Sequence, residues 1–233
     1  MARAPATPTK TGTSKTRTPK TRTRKTRTPK TPTRGADTRG AATRDQLLDA
    51  AEELLLVEGY PAVTSRRVGA AAGVNPALVH YHFGTMDDLL LAVYRRRVAE
   101  GTAHLLEVLD DPQPLWALWE YNRDPRGTAF TMEFVALANH RPVIRAEIAA
   151  SAARVREVQV DALGRILARY GIARRECPPL VASVLLSSVS RYLVLEEQAL
   201  GITEGHHQTV RFVEGFLKQY EGPRRRSSLA ESG

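Results

Sequence analysis

Apolar side chains recur at helical spacing from residue 47 onward. Leu47, Leu48, Ala51, Leu54 and Leu55 follow the rhythm of one buried helix face. Further along the chain, no alternating run of the kind that forms strands interrupts this pattern. The sequence therefore predicts an all-α protein with nine helices, near residues 44–58, 65–72, 76–83, 85–109, 114–123, 126–139, 142–170, 179–200 and 204–221.

Polar residues mark where the early helices begin. Thr43, with Gln46 three residues later, has the pattern of a capping box, in which two side chains satisfy free backbone N–H groups. Similar caps precede the next three helices at Thr64, Asn75 and Thr85. The second and third helices are short and are joined across Gly73-Val74-Asn75, a spacing typical of a helix-turn-helix.

This segment resembles a known family. The stretches Val63–Val74, Leu78–Gly84 and Asp88–Leu90 are similar to the N-terminal DNA-binding domain of TetR-type transcriptional repressors. The resemblance covers roughly 50 residues and implies a three-helix DNA-binding domain followed by a larger helical domain that binds an effector and dimerises. The chain departs from the family where His80 replaces a frequent Tyr and Met86 replaces the usual phosphate-contacting Lys.

The resemblance and the docking geometry of such motifs together indicate the DNA contacts. The third helix presents its first residues to base edges, while the second crosses the phosphate backbone. Ala77 and Leu78 suit a thymine methyl, and Arg66 suits a phosphate or guanine. A solvated helix face or simple packing is the alternative for each. The predicted DNA-binding residues are Thr64, Ser65, Arg66, Arg67, Asn75, Ala77, Leu78, His80, Tyr81 and His82.

Large aromatic side chains concentrate in the middle of the second domain. An apolar cavity with a few polar groups at its edge is the usual form of a small-molecule site, and the resembled family holds its effector in this region. Core packing is the alternative explanation for each residue. The predicted effector, a small apolar or amphipathic molecule, is expected to contact Trp116, Trp119, Phe130, Phe134, His140 and Tyr192.

The last two helices carry apolar and small residues suited to close packing. In the resembled family they form a four-helix bundle with the same helices of a second copy, so we expect a homodimer that reads a palindromic operator in double-stranded DNA. The residues expected at the dimer interface are Val184, Ser188, Arg191, Leu195, Val213 and Phe216.

Charge divides the chain into two unequal parts. Lys and Arg number 34 against 25 Asp and Glu, a formal charge of +9. Residues 1–40 hold twelve of these cations and one acid, a net of +11, so the rest sums to −2. We therefore expect a disordered basic tail at 1–40, a DNA-binding domain at 41–94, an effector and dimerisation domain at 95–222, and a disordered end at 223–233. A solubilising extension or a mitochondrial presequence are alternatives for the tail.

The cysteine count and the missing catalytic and metal-binding motifs limit the functions that the sequence supports. A single cysteine, Cys177, excludes an intramolecular disulfide framework and indicates a reducing compartment. The sequence has no phosphate-binding glycine loop and no cluster of ligands at metal spacing, so we expect no enzyme activity, cofactor or metal. No run of about 18 apolar residues predicts a membrane span. The leading hypothesis is a cytoplasmic, nucleoid-associated repressor released by an effector. An architectural DNA-binding protein without effector is the alternative.

Overall fold

Most of residues 34–225 are helical. The fold comes from a computed structural model, which describes residues 34–225, with side chains from residue 39. No strand occurs within that range, which confirms the predicted all-α class. The nine helices are α1 Arg34–Glu58, α2 Ser65–Ala71, α3 Ala77–Phe83, α4 Met86–Leu109, α5 Pro114–Tyr121, α6 Pro125–Ala138, α7 Pro142–Arg169, α8 Pro179–Leu195 and α9 His206–Glu221.

Local capping explains where α2 and α4 begin. The Thr64 side chain accepts a hydrogen bond from the Arg67 N–H at the start of α2. Thr85 and Asp88 form the predicted capping box of α4. Because these bonds join residues three positions apart, the sequence alone is enough to locate the first residues of α2 and α4.

The start of α1 differs from the prediction. This helix begins at Arg34, and Thr43 lies inside it, where its hydroxyl donates to the Arg39 carbonyl at 3.0 Å instead of capping. The last seven residues of the segment expected to be a disordered tail are therefore helical. After Pro32 no proline remains to stop the helix, and the alanines and arginines that follow favour it. The rest of the expected tail lies outside the described residues.

The chain end also differs from the prediction, because residues 223–225 are held against α5 rather than frayed. The buried Gln113 side chain donates to the Glu221 and Pro223 carbonyls at 2.8 and 2.9 Å and accepts from the Arg225 N–H at 2.7 Å. Arg224 forms ion pairs with Asp111 at 3.1 Å and Glu120 at 2.8 Å. We call residues 221–225 with these partners the C-terminal clasp. Residues 226–233 lie outside the described part.

Two apolar cores stabilise the molecule. The first joins α1–α4 and extends into α6 and α7 through Phe130, Phe134 and Ile144. The second joins the end of α4 to α5, α7, α8 and α9 around Trp119 and Leu163. Because the first core includes both the helix-turn-helix and α6, the two expected domains share packed side chains.

Candidate DNA-contacting surface and effector cavity

Helices α2 and α3 are set against each other by a close backbone approach. Gly73 adopts a φ of 67° in the turn, a conformation that glycine accepts at little cost. A Cβ at Gly69 would lie 2.8 Å from the Pro76 Cα, so only glycine fits there without movement. The Val74 N–H donates to the Gly69 carbonyl at 2.9 Å and closes the turn.

The short helix α3 has one buried face and one free face. Val79 and Phe83 are buried in the first core, while Ala77, His80 and Tyr81 are exposed. The Asn75 Oδ1 accepts from the Ala77 N–H at 2.9 Å as a capping side chain does, but the helix begins at Ala77, one residue later than predicted, with Pro76 flanking it. Five of the residues predicted to contact DNA therefore lie on or beside this free face, and Leu78 is half-buried at its edge.

The aromatic end of α3 is arranged by local contacts. The His80 Nδ1 lies 3.0 Å from the Gly84 carbonyl, which leaves its Nε2 as the outward-facing nitrogen of the ring. The Tyr81 side chain is 79% exposed, and its ring packs edge-on against His82 at 5.0 Å. Met86, which stands where the resembled family usually has Lys, is half-buried against the first core.

Helix α2 holds its two arginines differently. Arg67 forms an ion pair with Glu58 at the end of α1. Arg66 is exposed, and among the described residues no carboxylate lies within ion-pair distance of it. With Thr64 exposed and Ser65 half-buried beside it, Arg66 is the cation of this pair that is free to meet a phosphate.

A cavity of about 730 Å³ opens among α4, α5, α6, α7 and α8. Four aromatic residues form its apolar wall: Tyr94 and Phe130 lie parallel at 6.3 Å, Phe130 and Phe134 lie 4.7 Å apart, and Tyr121 closes the wall from α5. The Tyr121 hydroxyl donates to the Gly101 carbonyl at 3.0 Å, and burial raises the pKa of this phenol.

Two of the six predicted effector residues, Phe130 and Phe134, line this cavity. The other four do not. Trp116 and Trp119 are buried among the side chains of the second core. His140 and Tyr192 are exposed and do not line the cavity. The geometry therefore does not support assigning these four to the effector site.

Sequence reasoning missed much of the wall that α4 supplies. Tyr94, Val98 and Gly101 line the cavity at four- and three-residue intervals, and Thr102 and Val108 line it from the same helix. This spacing is visible in the sequence, but the same spacing is typical of any packed helix face. No sequence pattern indicates that this face of α4 lines a cavity rather than packing against another helix.

The faces of α8 and α9 carry apolar side chains that no other described residue of the chain covers. Of the predicted interface residues, Val184 is 40% and Phe216 is 48% exposed, and Ser188 is exposed beside them. Leu195 and Val213 are half-buried, and Arg191 lines the cavity. Further exposed apolar residues on these helices are Leu180, Val181, Leu185, Tyr192 and Phe212.

The segment Pro179–Leu200 is long and apolar enough to cross a membrane by length and composition alone. The sequence pattern did not predict a span here, because Arg191, Glu196 and Glu197 interrupt the apolar run. Ser183 and Ser190 are buried, and the exposed side is the apolar one. A soluble-protein helix with a covered apolar face passes the same test.

The described part of the chain contains no group of three or more His, Cys, Asp or Glu side chains placed to hold a metal. Cys177 is a half-buried free thiol in the loop before α8.

Comparison with known proteins gives matches at two levels. Residues 47–93 match the family described as bacterial regulatory proteins, tetR family. HTH-type transcriptional regulator BetI of Rhizobium meliloti is 42% identical over 52 residues, 22% of this chain and 26% of that protein. BetI of Brucella anthropi is 40% identical over 57 residues, 24% of this chain and 29% of that protein. The matched segment thus spans little more than a quarter of these curated relatives.

Solved structures match over a much larger share of the chain. A TetR transcription regulator from Haloarcula marismortui superimposes with a TM-score of 0.62 at 17% identity, covering 77% of this chain and 98% of that one. A proposed transcriptional regulator from Saccharomonospora viridis, solved in complex with choline, gives 0.61 at 20% identity, covering 76% and 96%. At this identity the likeness shows the shared fold.

Fold and matched segment together define an all-helical protein with an N-terminal helix-turn-helix of the regulatory type. Its residues 47–93 are similar to the tetR family of bacterial regulatory proteins, in agreement with the resemblance drawn from the sequence of this segment.

Proposed function

We propose that this protein is a dimeric transcriptional regulator that binds a palindromic operator in the cytoplasm and is released from it by a small-molecule effector. The observation that carries the proposal is the position of α6. This helix lines the cavity on one side and is bonded to the DNA-binding helices on the other.

The DNA-binding half of the proposal rests on the free face of α3. Its first residues reach the major groove when Thr64, Ser65 and Arg66 lie along the phosphates. One such helix offers few base contacts, because Ala77 and Leu78 recognise only thymine methyl groups and Asn75 already bonds to Ala77. Two copies about 34–36 Å apart supply the rest of the specificity.

The second copy is proposed to dock on α8 and α9. These helices expose a row of valine, leucine and phenylalanine side chains, and burial of such a surface is the main driving force of stable dimers. A membrane explains the same apolar face less well, since Arg191, Glu196 and Glu197 would then enter it.

Two polar contacts tie α6 to the DNA-binding domain. The Tyr60 N–H, just after α1, donates to Glu133 Oε2 at 3.0 Å, and Arg126 Nη2 lies 2.9 Å from Glu53 Oε2 on α1. The opposite side of α6 presents Thr131 and Val135 to the cavity. A ligand that binds more tightly when α6 takes a different position therefore favours a state in which the two recognition helices are spaced differently. The ratio of its affinities for the two states sets how far the population shifts.

The test is a footprint of the purified protein on the DNA upstream of its own gene. We expect protection of one inverted repeat at protein concentrations about 10³-fold below those that protect random DNA. Uniform weak protection along the whole fragment would contradict specific regulation.

The architectural alternative rests on the basic N-terminal segment. The two proposals differ in the ratio of affinity for the operator to affinity for random DNA. This ratio is about 10³ or more for a specific regulator and far lower for a protein that binds mainly phosphates. An architectural protein also has no use for a cavity that shares a helix with its DNA-binding domain.

A further inference from the structure

The polar wall of the cavity contains a cation, Arg191, that pairs with no carboxylate of the described residues. We propose that the effector is a small organic anion with an apolar body, a carboxylate in its simplest form, and that Arg191 binds the anionic group. This inference rests on the proposed effector site and names the class of ligand that the site takes.

The other cations of the cavity wall are already engaged. Arg97 lies 3.6 Å from Asp124, which also caps α6 through the Arg126 and Gly127 N–H groups at 3.1 and 2.8 Å. Arg224 pairs with Asp111 and Glu120 in the C-terminal clasp. These pairs use three of the four carboxylates that line the cavity.

Arg191 differs from both. Within residues 39–225 no carboxylate lies within 4.0 Å of its guanidinium, and the groups that act on its pKa besides burial are the Tyr121 phenol and the like charge of Arg156. Burial lowers the pKa of Arg191, and Arg156 lowers it further, yet a guanidinium stays protonated in proteins. The residue is nevertheless solvent-accessible, because the cavity it faces is open to water.

A charge in such surroundings is stabilised by an opposite charge that brings its own hydrogen-bond acceptors. A carboxylate accepts two parallel N–H bonds from one guanidinium, which gives both affinity and orientation. The fourth carboxylate of the wall, Glu100, does not pair with Arg191 and lies 3.9 Å from Arg96 instead.

The aromatic part of the cavity wall determines which non-ionic group the ligand carries. Tyr94, Phe130 and Phe134 present a continuous aromatic surface, with ring centroids 4.7 to 6.3 Å apart. Aromatic faces alone also attract quaternary ammonium ions. Here a fixed positive charge in the same cavity opposes a cationic ligand and favours an anion.

The test is isothermal titration calorimetry with ligands matched in shape and different in charge. The probes are octanoate and phenylacetate, their neutral amides octanamide and phenylacetamide, and the cation octyltrimethylammonium. We expect at least one of the two carboxylates to bind at least 10-fold more tightly than its amide and than the cation. In Arg191→Gln, that carboxylate should lose about 10- to 100-fold in affinity, the usual effect of removing a charged hydrogen-bond partner, while its amide is unaffected. Arg165→Gln, which removes an exposed arginine of α7, is the matched control and should change nothing.

Tighter binding of the cation, equal binding of carboxylates and amides, or failure of both carboxylates to bind would overturn the inference. So would an Arg191→Gln protein that binds carboxylates normally but loses its dimer in sedimentation, since Arg191 would then pair across the interface. Operator binding without ligand is measured on the same proteins. Specific DNA binding without carboxylate binding would contradict the anion site and support the regulator proposal. Carboxylate binding without specific DNA binding would support the anion site and contradict the regulator proposal.

Discussion

Arg66 and Arg67 are neighbours in sequence with different tasks in the structure. Arg67 is tied to Glu58 and helps hold α2 against α1, while Arg66 and His82 have no such structural partner among the described residues. The sequence identified both arginines as DNA contacts because composition and spacing treat them alike. Only the position of Glu58, which depends on how α1 packs, distinguishes them.

Replacing Arg66 by Ala should weaken operator binding by about 1–3 kcal/mol, because a good phosphate or base contact is lost. His82→Ala should act in the same direction. Gel-shift titration measures both, and Arg211→Ala, an exposed arginine on α9, is the control expected to bind normally. Unchanged affinity in both variants would remove α2 and α3 from the DNA interface.

Glu147 provides a pH-dependent contact between α7 and α4. Its carboxylate accepts from Arg95 Nε at 2.9 Å, and this bond, against some desolvation, lowers the pKa of Glu147 below its ordinary 4.5. A group with a lowered folded-state pKa contributes stability that is present above its unfolded pKa and is lost as pH falls through the folded one.

The free energy of unfolding of wild type should therefore exceed that of Glu147→Gln at neutral pH. This difference should shrink as pH falls from about 5 to about 3. Urea unfolding at a series of pH values measures it, with Glu157→Gln, an exposed carboxylate on the same helix, as control. A difference that grows on acidification would contradict the assigned contact.

Helix boundaries were predictable where local bonds set them and not where distant residues do. Thr64 and Thr85 cap their helices through residues three positions away. The C-terminal clasp joins Gln113 to residues more than 100 positions later, so no local pattern indicates it. The charged run after residue 222 was therefore interpreted as a frayed end, although Arg224 forms ion pairs there.

The clasp also caps α5 from outside its own sequence. The Glu221 carboxylate accepts from the Leu115 and Trp116 N–H groups at 2.9 and 3.0 Å and from the Tyr170 hydroxyl at 2.7 Å. Glu221→Ala should therefore lower the free energy of unfolding by about 1–3 kcal/mol, through loss of the cap and of the hydrogen bond that the Tyr170 hydroxyl donates.

Urea unfolding of Glu221→Ala beside Glu204→Ala, an exposed acid in the loop before α9, measures this effect. Equal stability of the two variants would mean that the clasp contributes nothing. Full retention of DNA binding by folded Glu221→Ala is expected, because the clasp lies far from α3.

At the scale of the whole molecule, the sequence predicted the order and class of the helices well and the cavity only in part. Phe130 and Phe134 line it as expected, but Trp116 and Trp119 fill the second core. Large aromatic residues serve both purposes, so composition does not separate them. The wall from α4 and the unpaired Arg191 depend on which helix faces meet, which is a property of the assembled fold.

The basic N-terminal segment should act on all DNA alike. All but two of the twelve cations of residues 1–40 precede α1. Deleting residues 2–33, which leaves α1 intact, should weaken binding to operator and random duplex by similar factors at low salt. If four phosphate contacts are lost, the slope of log K against log salt should fall by roughly 3.6. Equal slopes on long duplexes would show that the segment is not involved.

The most direct test of the regulator account is selection of bound duplexes from a random library by the full-length protein, followed by titration of the winners. The account predicts an inverted repeat whose half-sites lie about one helical turn apart, bound as a dimer at least about 10³-fold more tightly than random DNA, with the preference lost in Arg66→Ala. Enrichment of no consensus, or a consensus retained in full by Arg66→Ala, would contradict it.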